Sequence, residues 1–144
     1  MRKYFLTLMV MALFAIGFAA SDDSESSSVT KEDAPASMET INAEEMLSDL
    51  DQNEMRAQKK YADKWFEIVG VLGSMDSEGD YFSLDGETFR MMHVQCKIPS
   101  DKKDEMTNKL INMEKGDRIA VKGKVTDMGE VMGYSVAIVD LYNK

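Results

Sequence analysis

The run Trp65-Phe66-Glu67-Ile68-Val69-Gly70-Val71-Leu72-Gly73 constrains this chain more than any other stretch. Aromatic and β-branched side chains dominate it, and such residues suit a pleated surface. A glycine in the middle of a strand pattern marks a bend, a bulge or a close approach of another backbone. A long first strand bent at Gly70 can serve both halves of a small closed sheet. The expectation is therefore a barrel whose first strand is shared.

The N-terminus is read separately. Arg2 and Lys3 precede an uncharged apolar run from Tyr4 to Ala20, with small residues around Ala19. That is the pattern of a signal peptide over 1–20, cleaved near Ala19/Ala20. A retained membrane anchor is the alternative, since the run is close to the roughly 17-residue lower limit for a span. Ala20-Ser21 stands where a lipoprotein would have cysteine. Residues 21–39 are rich in Ser, Asp and Glu and almost devoid of apolar side chains. Such a segment cannot bury enough surface to offset its ordering entropy, so it reads as a disordered linker. The domain is then 40–144, large enough for one small core.

Charge narrows the partners. The chain carries a net −9, and removal of Arg2 and Lys3 leaves 15 basic against 26 acidic residues, or −11. Phosphate backbones are bound by clustered Lys and Arg, so nucleic acid is disfavoured. A single cysteine, Cys96, excludes an intrachain disulfide.

Asn42 can cap a helix over about 42–61, with Glu45 completing a capping box. Ala43, Leu47, Leu50, Ala57 and Tyr61 share one stripe, with Met46 beside it. Asn53 can cap a second segment, which would kink the helix near residue 52. After the strand from Trp65 to about Met75, Asp76–Asp80 reads as a hairpin turn. Tyr81–Leu84 is a short second strand, and Asp85-Gly86 is a turn. Phe89–Lys97 alternates as a third strand, with Met92, Val94 and Cys96 on one face and Met91, His93 and Gln95 on the other. Ser100 is the expected cap of a helix bearing Met106, Leu110 and Met113, which ends at Gly116. Asp117–Val125 is the clearest strand. Asp127-Met128-Gly129 is the expected turn into a last strand, Tyr134–Tyr142. The order is a helix followed by β-β-β-α-β-β. This is a mainly β chain with the element order of a five-stranded OB-fold barrel.

The segments AEEMLSDLDQNEMRAQKKYADKWFEIVGVLGSMD, VQC and MEKGDRIAVKGKVTDMG resemble the tRNA-anti-like family of exported bacterial OB-fold proteins over residues 41–142. The resemblance implies the barrel, with no catalytic constellation and no established substrate. Many members resemble lipoproteins; this chain lacks their cysteine.

Candidate chemistry is sparse. Met91-Met92-His93-Val94-Gln95-Cys96 suggests a soft-metal or haem site. His93 and Cys96 point to opposite faces of a strand, however, so they cannot share an ion. The simpler reading is a core cysteine and a surface histidine. Asp76, Glu78, Asp80 and Glu87 imitate calcium-loop spacing, but Tyr81 stands where that loop needs glycine. Met75, Met128 and Met132 fall near strand ends and could form an adaptable exposed patch. No hydrolytic set is present, so no catalytic residue, metal ligand or cofactor is expected.

The reading is an exported, monomeric, non-catalytic binding module of the cell envelope, facing a protein or small ligand, with no membrane span after signal cleavage. The alternative is single-stranded nucleic-acid or oligosaccharide binding through the face of strands two and three. Its candidate residues are Tyr81, Ser83, Met91, His93, Gln95 and Lys97.

Overall fold

The computed structural model describes residues 34–129 and 131–144. The expected signal, and most of the expected linker, lie outside the described residues. The elements in chain order are β1 (Glu39–Asn42), α1 (Ala43–Gln52), α2 (Glu54–Tyr61), β2 (Trp65–Met75), β3 (Tyr81–Asp85), β4 (His93–Lys97), α3 (Lys103–Leu110), β5 (Arg118–Gly129) and β6 (Gly133–Asn143).

β2 is the strand on which the sheet closes. Its Trp65–Val71 half pairs antiparallel with β5, while Val71, Leu72 and Met75 pair antiparallel with β3. From β3 the sheet continues to β4, then β6, then β5, which returns to β2. The β4–β6 pairing is parallel and the other barrel pairings are antiparallel. This closed five-stranded barrel, with α3 between its third and fourth strands, is the OB-fold. Gly70 lies where β2 changes partners. A Cβ there would stand 2.9 Å from Ala43 Cβ and 3.2 Å from the Asp85 carbonyl oxygen. Close approach of α1 and β3, beyond any bend, thus requires the glycine.

Alternate residues of each strand turn inward, and Ile68, Leu72, Phe82, Leu84, Val94, Cys96, Val121, Val136 and Ile138 fill the barrel. The α1–α2 pair closes one opening. Ala43, Met46, Leu47, Leu50, Ala57 and Tyr61 are all buried, so the predicted stripe packs on its own domain. Tyr61 meets Phe66 and Tyr134 edge-on, with ring centroids 5.6 Å apart in both pairs. The Tyr134 hydroxyl donates to the Met46 carbonyl at 2.8 Å, which ties β6 to α1.

Several local expectations are corrected. β1 was not anticipated, and it begins inside the segment read as linker. It lies parallel to β2, from Glu39 beside Phe66 to Asn42 beside Val69. Four residues of which one, Ile41, is buried are too few to show a period. Asn42 does cap α1, accepting from Glu44 N–H at 3.1 Å, but Glu45 does not reach back to complete the box. Its carboxylate pairs instead with Lys60 at 3.0 Å. Asn53 separates α1 from α2 and caps the latter through Arg56 N–H. Ser100 is not a side-chain cap; it opens a 3₁₀ turn, Ser100–Lys102, before α3. The third barrel strand starts at His93, so Phe89–Met92 is loop. Asp127-Met128-Gly129 does not turn the chain. A register shift after Val125 lets these residues continue the ladder to Ser135, Tyr134 and Gly133.

Candidate functional site

Two surfaces follow from this register. On the outer face of β3 and β4, Tyr81 stands beside Lys97 and Ser83 beside Gln95. The row through Tyr81 and Lys97 continues to Ala137 on β6 and Lys124 on β5. Tyr81 and Lys97 are exposed, while His93 and Gln95 are half-buried. Ser83 is buried, for a structural reason. β2 shifts register between Leu72 and Met75, and Ser83 Oγ fills the irregularity. It accepts from Ser74 N–H at 2.9 Å and lies 3.4 Å from Asp85 Oδ1. A Cβ on Gly73 would collide with that hydroxyl. Of the six residues expected to form one face, Tyr81, Gln95, Lys97 and His93 share it. Ser83 stands on it as well, with its hydroxyl engaged by Ser74 and Asp85, and Met91 leaves it because its strand has not yet begun.

Met91 belongs to the second surface. The loop from β3 to β4 is held by Glu44, in the first turn of α1. Its carboxylate accepts from Thr88 N–H at 3.1 Å, from Phe89 N–H at 3.2 Å and from the Thr88 hydroxyl. Those three bonds hold the Glu44 carboxyl below its ordinary value of 4.5. The loop therefore leaves α1 on a fixed course, with Met91 outward at 89 % exposure and Met92 inward at 5 %. Parallel pairing of His93 with Gly133 brings the β5–β6 turn alongside. Val131 and Met132 there are 81 % and 64 % exposed. Phe89, Met91, Met92 and Val131 line a groove of about 340 Å³ whose remaining wall is Asp51, at the end of α1. Of the three methionines expected to form a patch, Met132 is exposed beside Val131 in the β5–β6 turn but does not line the groove. Met128 is packed partly against the core, and Met75 is at the far end of β2. The signal that could have located Met91 is the loop between two short strands, which the apparent alternation of Phe89–Lys97 concealed.

Other polar groups are engaged in structure. Asp76 Oδ2 accepts from the N–H groups of Glu78 and Asp80, closing the hairpin. Asp80 pairs with Lys103 at 2.6 Å, and Glu87 with Arg118 at 3.1 Å. Burial raises the Cys96 thiol well above its ordinary range, which keeps it neutral and unreactive. A wider groove of about 550 Å³ runs between the end of α3 and β6, lined in part by Lys109, Asn112, Lys122 and Tyr142. Its Lys109 is paired with Asp140 at 2.6 Å. The Tyr142 hydroxyl is pushed up to about 12, by burial and then by its bond to Glu67.

Comparison with known proteins agrees with this architecture. A protein described as an aspartyl-tRNA synthetase from Leishmania major Friedlin superposes with a TM-score of 0.51 at 11 % identity, over 79 % of this chain and 22 % of that one. The chain thus spans about a fifth of that protein, and the likeness concerns the fold alone. Replication protein A of U. maydis, bound to ssDNA, gives 0.46 at 17 % identity, over 74 % of this chain and 72 % of that one. The OBody AM2EP06, bound to hen egg-white lysozyme, gives 0.46 at 13 % identity, over 58 % and 82 %. No curated protein matches the chain. The tRNA_anti-like family model matches residues 1–134, which cover all of the barrel but most of its last strand. The chain belongs to the tRNA_anti-like family.

Proposed function

We infer that the protein is an exported, non-catalytic binding module of the bacterial cell envelope, which engages a protein partner through the methionine-lined end of its barrel. One observation carries this reading: Met91 and Val131 are each more than half exposed and line one groove, with the exposed Met132 next to Val131 in the chain. Clustered exposed apolar side chains mark interaction surfaces, and methionine adapts to varied partners. In this reading residues 1–20 are the cleaved signal, 21–38 tether the barrel, and the mature protein is monomeric. No helix among the described residues is long and apolar enough to cross a membrane.

The test is capture from envelope extract by the exported protein, its N-terminus sequenced, beside its Met91→Lys variant. A protein retained at high salt by the first and lost by the second supports the reading. Retention of the same protein by both removes the barrel end from consideration. A second reading, single-stranded nucleic acid or oligosaccharide, draws on the exposed Tyr81–Lys97 pair. Recovery of either ligand without protein would favour it.

A further inference from the structure

We propose that the groove at the barrel end takes an apolar peptide segment that carries a lysine or arginine at one end. The proposal rests on the protein-partner reading and adds the chemistry of that partner. Its apolar part follows from the lining, Phe89, Met91, Met92 and Val131. A volume of about 340 Å³ takes a few side chains and excludes a folded domain, so the ligand inserts anchors and lays the rest of its length outside.

The charge follows from the remaining wall. Asp51 is the one charged residue lining the groove among the described residues, it is exposed, and it makes no ion pair among them. It sits in the last turn of α1, and that turn contains no basic side chain. The carbonyl end of a helix carries partial negative charge that a cation normally offsets. In α2 the corresponding turn has Lys59 and Lys60. At α1 the offset comes from α2, since Lys60 Nζ pairs with Asp49 at 2.8 Å and Arg56 bonds Gln52 at 3.3 Å, and the Asp51 carboxylate is left as the unpaired charge beside the apolar trough. Arg90 is exposed on the neighbouring loop but is not part of the groove lining. The groove is therefore apolar along its floor and negative at one end. A ligand with the inverse pattern satisfies both features.

The experiment uses the exported protein and short synthetic peptides with blocked termini and a common Leu/Ala body, ending in a Lys pair, a Gln pair or a Glu pair. Affinity is followed by calorimetry. The Lys-ended peptide should bind about fivefold more tightly than the Gln-ended one, and about twentyfold more tightly than the Glu-ended one. Asp51→Asn should at least halve that discrimination with little effect on the Gln-ended peptide, and Met91→Lys should weaken all three. Equal binding of the three peptides overturns the charge assignment and leaves the apolar surface standing. No binding by a protein that still captures its partner through Met91 also overturns it. No binding together with failure of Met91-dependent capture removes the underlying reading as well.

Discussion

The Tyr61 hydroxyl donates to Asp49 Oδ2 at 2.6 Å, and the same oxygen accepts from Lys60 Nζ at 2.8 Å. One carboxylate on α1 thus holds the last two residues of α2. These bonds, from Lys60 first and Tyr61 second, keep the Asp49 carboxyl below its ordinary value. Tyr61→Phe keeps the ring against Phe66 and Tyr134 and removes only the donor. It should cost about 1–2 kcal/mol, read as a lower urea midpoint at unchanged slope. Combination with Asp49→Ala should be less than additive, because both changes delete the same bond.

Gly70→Val introduces a Cβ 2.9 Å from Ala43 Cβ and 3.2 Å from the Asp85 carbonyl. Backbone and a buried helix start leave little room to yield. A loss of about 2–3 kcal/mol is expected, with Gly70→Ala intermediate. An unchanged melting temperature for the valine variant would show that α1 and β3 can move apart without cost.

Glu44 ties acidity to the course of the β3–β4 loop. Its folded-state pKa lies below 4.5, so its contribution is complete above pH 4.5 and is lost as pH falls through the lower folded value. Glu44→Gln should remove that contribution at neutral pH, and the melting temperatures of the two proteins should converge as acid is added. Amide exchange at Thr88 and Phe89 should speed up in the variant. Unchanged exchange would mean that the loop holds its course without Glu44.

For the β3–β4 face, the full-length chain should show no binding of oligothymidylate tighter than about 10⁻⁴ M at physiological salt. A net charge of −9 and one exposed tyrosine supply neither the field nor the stack. Fluorescence anisotropy checks this. Tight binding lost on Tyr81→Ala would transfer the site to that face.

Much of the barrel was legible because its strands repeat a period. The alternation around Ile119, Val121, Gly123 and Val125, and the aromatic β-branched run from Trp65, survive any reasonable choice of window. β1 was not legible, since its place is set by an edge of β2 that it happens to cover. The turn assigned to Asp127-Met128-Gly129 failed because local turn chemistry yielded to ladder bonds that the sequence does not display. The binding surface was legible only in part. Tyr81 and Lys97 share a row because two strands pair in a register that the short hairpin implies. Met91 and Val131 meet across 40 positions, through a parallel pairing of β4 with β6 that no local pattern announces. Ser83 stands on the same face, but its hydroxyl is engaged by Ser74 and Asp85 beside the register irregularity of β2, which no local pattern shows.

β1 also has a mechanical meaning. A force applied at Glu39 along the axis of this strand would be met by its partners from Phe66 to Val69, which run in the same direction. Tension of that kind loads the rungs between the strands together and in shear, instead of opening them one after another as in a zipper. The four residues therefore act as a strain relief: a tug on the leading chain is spread over β2, the strand shared by both halves of the sheet, before it reaches α1.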